Sequence, residues 1–135
     1  MTEKEYSAYK YLSRLWRIKR EIKDKEYELH SAGLASGVRY DKVNVQTSPV
    51  DPMDKIGHLI DEIQREKEEY VRVQHQMINQ IHDLEDRIYE QYLVDRFIHG
   101  MTIKQMTIKY GCHQSTAYRT FCRALDEFAD KYANI

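Results

Sequence analysis

The stretch LEDRIYEQYLVDRFIHG, MTIKQMTIKY, GCHQSTAYRTFCRAL, residues 84–125, decides the fold. Its first part places Leu84, Ile88, Tyr92 or Leu93, and Phe97 at helical spacing and ends at Gly100, a residue able to take the left-handed conformation that closes a helix. Thr102 then stands where an N-cap belongs, and Ile103 and Met106 share a face up to Tyr110 and Gly111, so a second, short helix is expected. After Gly111, Cys112 and His113 a third helix begins. It turns Ala117, Phe121, Leu125 and Phe128 inward and leaves Gln114, Ser115, Tyr118, Arg119 and Arg123 outward.

The outward set has the chemistry that base edges and phosphates require. Where two helices are joined by a tight turn, the first braces against the backbone of a DNA duplex and the second lies in the major groove, its N-terminal residues nearest the bases. Position then assigns roles. Arg119 is long enough for a bidentate pair with a guanine edge, Gln114 suits an adenine edge, and Ser115, Thr116 and Tyr118 complete the base-contacting candidates. Thr102, Lys104, Lys109, His113 and Arg123 are the phosphate-contacting candidates. A small three-helix unit that packs against another protein, with Arg123 paired to Asp126 or Glu127, is the alternative.

The run GMTIKQMTIKYGCHQSTAYR, residues 100–119, followed by RAL at 123–125, resembles the C-terminal helix-turn-helix of bacterial sigma factors. From about Tyr11 to Tyr132 the chain is similar to a family of small proteins of Gram-positive phages, prophages and mobile elements, related to the ArpU and RinA type of late-gene transcriptional regulators. The run VRYDKVNVQTSPVDPM, residues 38–53, resembles that family's linker. In the helix-turn-helix, Thr107 stands where such motifs usually carry Ala, Tyr110 where Leu is usual, Ala117 where Val is usual, and His113 in place of a Ser cap. The resemblance implies a sigma-like DNA-binding unit after a long charged helical region, and activation of late genes.

With 41% hydrophobic and 32% charged residues in 135, only five Gly and two Pro, the chain has room for one modest core and favours helix throughout. The expected fold is all-α: a long helical hairpin or coiled-coil arm, then a C-terminal helix-turn-helix. A net charge of −1 is unusual for a DNA binder, so its distribution matters. Residues 54–95 hold eleven acidic and five basic side chains, a local charge of −6, whereas 96–135 hold six basic and three acidic, a local charge of +3. A mildly basic C-terminal region fits specific contact with few phosphates rather than wrapping. Cys112 and Cys122 make no CxxC pair, and no signal peptide or membrane-length apolar run is seen, so a reducing bacterial cytoplasm is the expected setting. A zinc site from Cys112, His113 and Cys122 is poorly spaced, and no metal or cofactor is expected.

Two domains are expected: a helical arm over 1–80 for oligomerisation and a sigma-like DNA-binding domain over 81–135. In the arm, Ala8, Tyr11, Leu15, Ile18, Ile22, Lys25 and Leu29, widened by Leu12 and Trp16, give a helix over about 4–30 that breaks at Ser31, Ala32 and Gly33. A connecting loop over about 31–51 follows, in which Val38, Tyr40, Val43 and Val45 alternate with polar residues as in an extended segment, and Arg39 and Lys42 are positioned for phosphate or plain connection. Asp51 as cap, Pro52 at the first helical position and Asp54 in the first turn mark a new helix. Its apolar residues Ile56, Ile63, Tyr70, Met77 and Leu84 recur every seven, with Ile60, Ile81 and Ile88 beside them and Lys67 and Gln74 as polar interruptions.

Run without a break from Pro52 to about Ile98, that helix would span roughly 70 Å, more than a first helix of roughly 40 Å can cover. The surplus stripe implies a homodimer whose seam is Ile56, Ile60, Ile63, Tyr70, Met77, Ile81 and Leu84, in parallel or antiparallel pairing. The alternative is a monomeric bundle in which Gly57, the polar seam positions or the stretch 74–76 bend the helix.

Enzyme chemistry is not expected. Glu68 and Glu69, Glu85 and Asp86, and Asp61 and Glu62 are helix-surface neighbours, and His75 and His82 lie two turns apart, too far to share an ion. No phosphate loop, nucleophile turn or HExxH motif occurs. The functional expectation is a transcriptional regulator that binds duplex DNA, with no membrane or small-molecule partner. A ring-forming packaging protein like a small terminase subunit, or a module that contacts RNA polymerase, are the alternatives.

Overall fold

A computed structural model describes the backbone of residues 1–39 and 52–133, and the side chains of 1–33 and 53–133. The described residues are helical, with no strand. They form α1 (Glu3–Arg39), α2 (Pro52–His82), α3 (Arg87–Leu93) running directly into a π-helical turn (Val94–Ile98), α4 (Ile103–Tyr110) and α5 (Gln114–Lys131). No described helix is long and apolar enough to cross a membrane.

Two compact units form. One consists of residues 1–16 with 72–135, the other of residues 17–71. In the second unit Ile18 and Ile22 of α1 and Leu59 and Ile63 of α2 are buried. Lys25 is ion-paired with Glu62 and Glu66, and Lys67 with Glu26 at 3.4 Å. In the first unit Ala8, Leu12 and Leu15 of α1 and Val73, Met77 and Ile81 of α2 are buried together with the apolar faces of α3 and α5. There Tyr11 donates a hydrogen bond to Gln80 at 2.9 Å.

Three expectations are corrected. First, α1 does not stop at Ser31, Ala32 and Gly33 but continues to Arg39. Extending a formed helix fixes only one residue per added bond, so a single Gly between good formers such as Ala32 and Leu34 does not suffice to end it. Val38 and Arg39 are therefore helical, while the extended segment at Tyr40, Lys42, Val43 and Val45 and the Asp51 cap lie outside the described residues.

Second, the long helix does not run from Pro52 to Ile98. It ends at His82, and Asp86 restarts the chain as an N-cap whose carboxylate accepts from the amides of Ile88 (2.8 Å) and Tyr89 (3.3 Å). The corner is held from the far end of the chain: Lys131 donates to the Asp83 carbonyl, and the Tyr132 hydroxyl donates to the Asp83 carboxylate at 2.5 Å. Burial, and then that carboxylate, push the Tyr132 phenol up to about 12.

Third, the seam is largely used within the chain. Ile63, Met77, Ile81 and Leu84 are buried in the single chain, Ile56 and Tyr70 are half-buried, and of the proposed seam only Ile60, at 49%, is exposed. With the helix broken at residue 83, the second half of the stripe finds its cover in the first compact unit, which removes the length argument for a second chain there.

Candidate nucleic-acid interface

The core of the first unit is aromatic. Phe97, in the π-helical turn, stacks on Trp16 at 5.1 Å and contacts Tyr9 (5.7 Å) and Phe121 (5.8 Å). Trp16 donates its indole N–H to the Phe97 carbonyl at 3.1 Å, and Arg96 lies over the Trp16 ring at 4.5 Å while donating to the Met101 carbonyl at 3.2 Å. The π-helical turn is closed by the His99 amide donating to Val94, and the Met101 amide returns to the Asp95 carbonyl at 2.9 Å across Gly100, whose φ is +71°. Gly100 thus ends the helix in the left-handed conformation that the sequence called for.

The wide turn drives Asp95 inward to 1% exposure. Lys109 reaches both carboxylate oxygens at 2.9 and 2.8 Å, the Tyr110 hydroxyl donates to one of them, and the His99 ring lies 3.2 Å from the other. Burial by itself would raise the Asp95 carboxyl, but the hydrogen bonds from Lys109, Tyr110 and His99 outweigh it and hold the group below the ordinary carboxylate range. Tyr110 also stacks on Tyr92 at 4.5 Å, and burial with its Asp95 bond raises its own phenol. Two consecutive residues of α4 are therefore fastened to the turn before it, and a leucine at 110 could supply neither the stack nor the hydrogen bond.

Helix α4 is closed at both ends. Thr102 and Gln105 form a reciprocal capping box, the Gln105 amide donating to the threonine hydroxyl at 3.1 Å and the Thr102 amide to the Gln105 side chain at 2.9 Å. Gly111 has φ +62°, and its amide and that of Cys112 both donate to the Thr107 carbonyl. The chain thereby turns within Gly111, Cys112 and His113 and enters α5.

His113 caps α5 only through its backbone, its carbonyl accepting from Ala117 at 2.9 Å, with no side-chain bond. Among the described residues, the first-turn amides of α5 thus receive no cap from the His113 side chain. Ala117, Phe121, Ala124, Leu125, Phe128 and Ala129 bury one face, with Tyr9 of α1 against Phe121 and Tyr11 against Phe128. The base-contacting candidates Gln114, Ser115, Thr116, Tyr118 and Arg119 are all exposed on the remainder, as are His113 and Arg123. Arg119 and Arg123 have no ion-pair partner among the described residues. Asp126 pairs with Lys4 at 3.4 Å, not with Arg123.

The phosphate candidates divide. Lys104, Arg123 and His113 are exposed, as is Thr102, whose hydroxyl oxygen accepts from Gln105 in the cap. Lys109 differs: its ammonium is ion-paired with Asp95, fastening α4 to the turn before it, while its side chain stays partly exposed. Asp95 was not singled out in the sequence, and Trp16 was placed there only on the apolar stripe of the first helix. A carboxylate three residues after Tyr92 and two before Phe97, inside an apolar face, was the available signal for Asp95. Both cysteines are free thiols, and among the described residues no three His, Cys, Asp or Glu side chains are grouped to hold a metal. Comparison of the chain with protein-family models, with curated proteins and with solved structures found no match.

Proposed function

We propose that this protein is a sequence-specific duplex-DNA-binding transcriptional regulator acting in a bacterial cytoplasm, with α4, the Gly111 turn and α5 as a helix-turn-helix and α5 as its reading helix. The observation that carries the reading is the outward face of Gln114 to Arg123. Ala117 and Phe121 anchor one side of the helix, while Arg119 and Arg123, unpaired among the described residues, stand on the other with Ser115. An unpaired guanidinium on a helix start set by a three-residue turn suits a major-groove edge. The free first-turn amides suit a phosphate oxygen. The resemblance to sigma-like phage late-gene regulators points the same way and suggests activation.

A homodimer belongs to the proposal, since paired reading heads would engage two half-sites. Its contact is placed on the flank of α2 where Met53, Ile60 and Val71 are exposed at helical spacings of seven and eleven, in place of the seam that the chain buries internally.

Fluorescence anisotropy with duplex fragments selected from the host genome tests the reading. Arg119→Ala is expected to cost about 1–3 kcal/mol on the preferred site and to relax discrimination at one base position. Lys104→Ala is expected to weaken all fragments alike and to lower the salt slope by about 1. Indifference of binding to both changes would remove α5 from its role. Light scattering separates this reading from a packaging ring, because a closed ring of many subunits excludes the dimer.

A further inference from the structure

Ser115, Arg119, Arg123, Asp126 and Asp130 follow one another along α5 at spacings of four, four, three and four, so they form a single line on the helix surface. The line begins as the proposed DNA-facing surface and ends in two carboxylates. Asp126 rises only about 4.5 Å beyond Arg123, and Asp130 about 10 Å. Those separations fall within the screening length of about 10 Å at 0.1 M salt. Left bare, the two carboxylates would oppose the approach of a phosphate backbone to Arg123.

They are not bare. Lys4, in the first turn of α1, is ion-paired with both Asp126 and Asp130. Asp130 first, and Asp126 with it, hold the lysine ammonium above its ordinary value against a partial opposing cost of desolvation. The turn that carries Lys4 is itself fixed by a reciprocal capping box, the Glu5 amide donating to the Thr2 hydroxyl at 3.1 Å and the Thr2 amide to the Glu5 carboxylate at 3.3 Å. All three charged side chains remain substantially exposed, so the cluster contributes little to folding.

Resting on the DNA-binding reading above, we infer that Lys4 is an affinity-setting residue: it offsets one of the two carboxylate charges at the acidic end of the α5 line and so lets Arg119 and Arg123 dominate the field that a polyanion meets. Its role is electrostatic and indirect, without contact to the nucleic acid.

The test uses the full-length protein and a labelled, random-sequence DNA duplex, because the electrostatic part of binding does not depend on sequence. Lys4→Met is expected to weaken binding about threefold to fivefold at low salt, the upper range of an exposed charge coupling. The loss should shrink as salt is raised. Asp126→Asn with Asp130→Asn is expected to tighten binding, and the triple variant to bind at least as well as the unaltered chain. That rescue separates shielding from a merely structural part for Lys4, and unchanged thermal melting of each variant accompanies it. If the triple variant stays as weak as Lys4→Met, Lys4 touches phosphate itself and the inference is overturned; an unaffected Lys4→Met variant overturns it equally. Failure of the unaltered chain to bind any duplex, selected or random, overturns the functional proposal along with this one, whereas sound binding without the rescue pattern overturns this one alone.

Discussion

The two compact units draw on the same two long helices and are held by different physics. In residues 17–71 the buried hydrophobic side chains are aliphatic, Ile18, Ile22, Leu59 and Ile63, and partly exposed ion pairs at Lys25 and Lys67 link the helices. In residues 1–16 with 72–135, the rings of Tyr9, Trp16 and Phe121 surround a fully buried Phe97, and the buried Asp95 carboxylate is met by Lys109 and Tyr110. Aromatic packing and directed hydrogen bonds fix a single arrangement, whereas aliphatic stripes with solvated ions tolerate several. The unit that presents α5 is the one built to hold its geometry.

Substitutions of graded severity would sharpen or break that contrast. Phe97→Ala should be the most damaging, costing about 3–5 kcal/mol in urea denaturation, because it opens a cavity where several rings meet. A loss no greater than that of an aliphatic truncation such as Ile63→Val, about 0.5–1.5 kcal/mol, would deny the ring cluster its central place. Asp95→Ala should come next at about 2–3 kcal/mol, since charge-assisted hydrogen bonds are lost while the Lys109 ammonium can turn to solvent. The same residue sets the acid limit of stability. Its carboxyl is held low in the folded chain, so its contribution is complete above the ordinary carboxylate range and disappears as pH falls through the lowered value. In Asp95→Ala that acid dependence should be visibly reduced.

At the alkaline end Tyr132 acts in the opposite sense. Pushed up to about 12, it stabilises the corner at Asp83 fully below its unfolded value of 10.0 and loses that contribution as pH rises through the folded value; Tyr132→Phe should abolish this part of the pH profile. Thr102→Ala should cost about 1 kcal/mol, the usual worth of an N-cap, and should be read out as lower protection of the α4 amides in hydrogen exchange. Smallest of all should be Lys25→Met in residues 17–71, a change in melting temperature below that of Thr102→Ala and fading with added salt. A larger effect there would mean that the ion pairs carry the unit after all.

What the chain disclosed beforehand was local. Gly100 and Gly111 as turning points, Thr102 as an N-cap and the inward set of α5 were legible because each depends on neighbours within a turn or two. The break at residues 83–86 was hidden because Leu84 keeps the seven-residue apolar rhythm straight through a corner, and because the groups that hold Asp83, Lys131 and Tyr132, lie almost fifty positions away. The ion pair of Lys109 was hidden for a similar reason. A lysine on a short amphipathic helix looks solvent-directed in sequence, and only the inward swing of Asp95 by the π-helical turn gives it a protein partner. Ile63, Met77, Ile81 and Leu84 of the seam are buried, but within the chain: periodicity states that a stripe is buried, and not by which surface.

Trp16 is the chain's only tryptophan, and its indole is wedged between Phe97 and Arg96 with its N–H on a carbonyl of the widened turn. The molecule thus carries an intrinsic fluorophore at the joint that precedes α4. Its emission, excited selectively over the many tyrosines, should register any loosening of that joint when duplex is added, without a label.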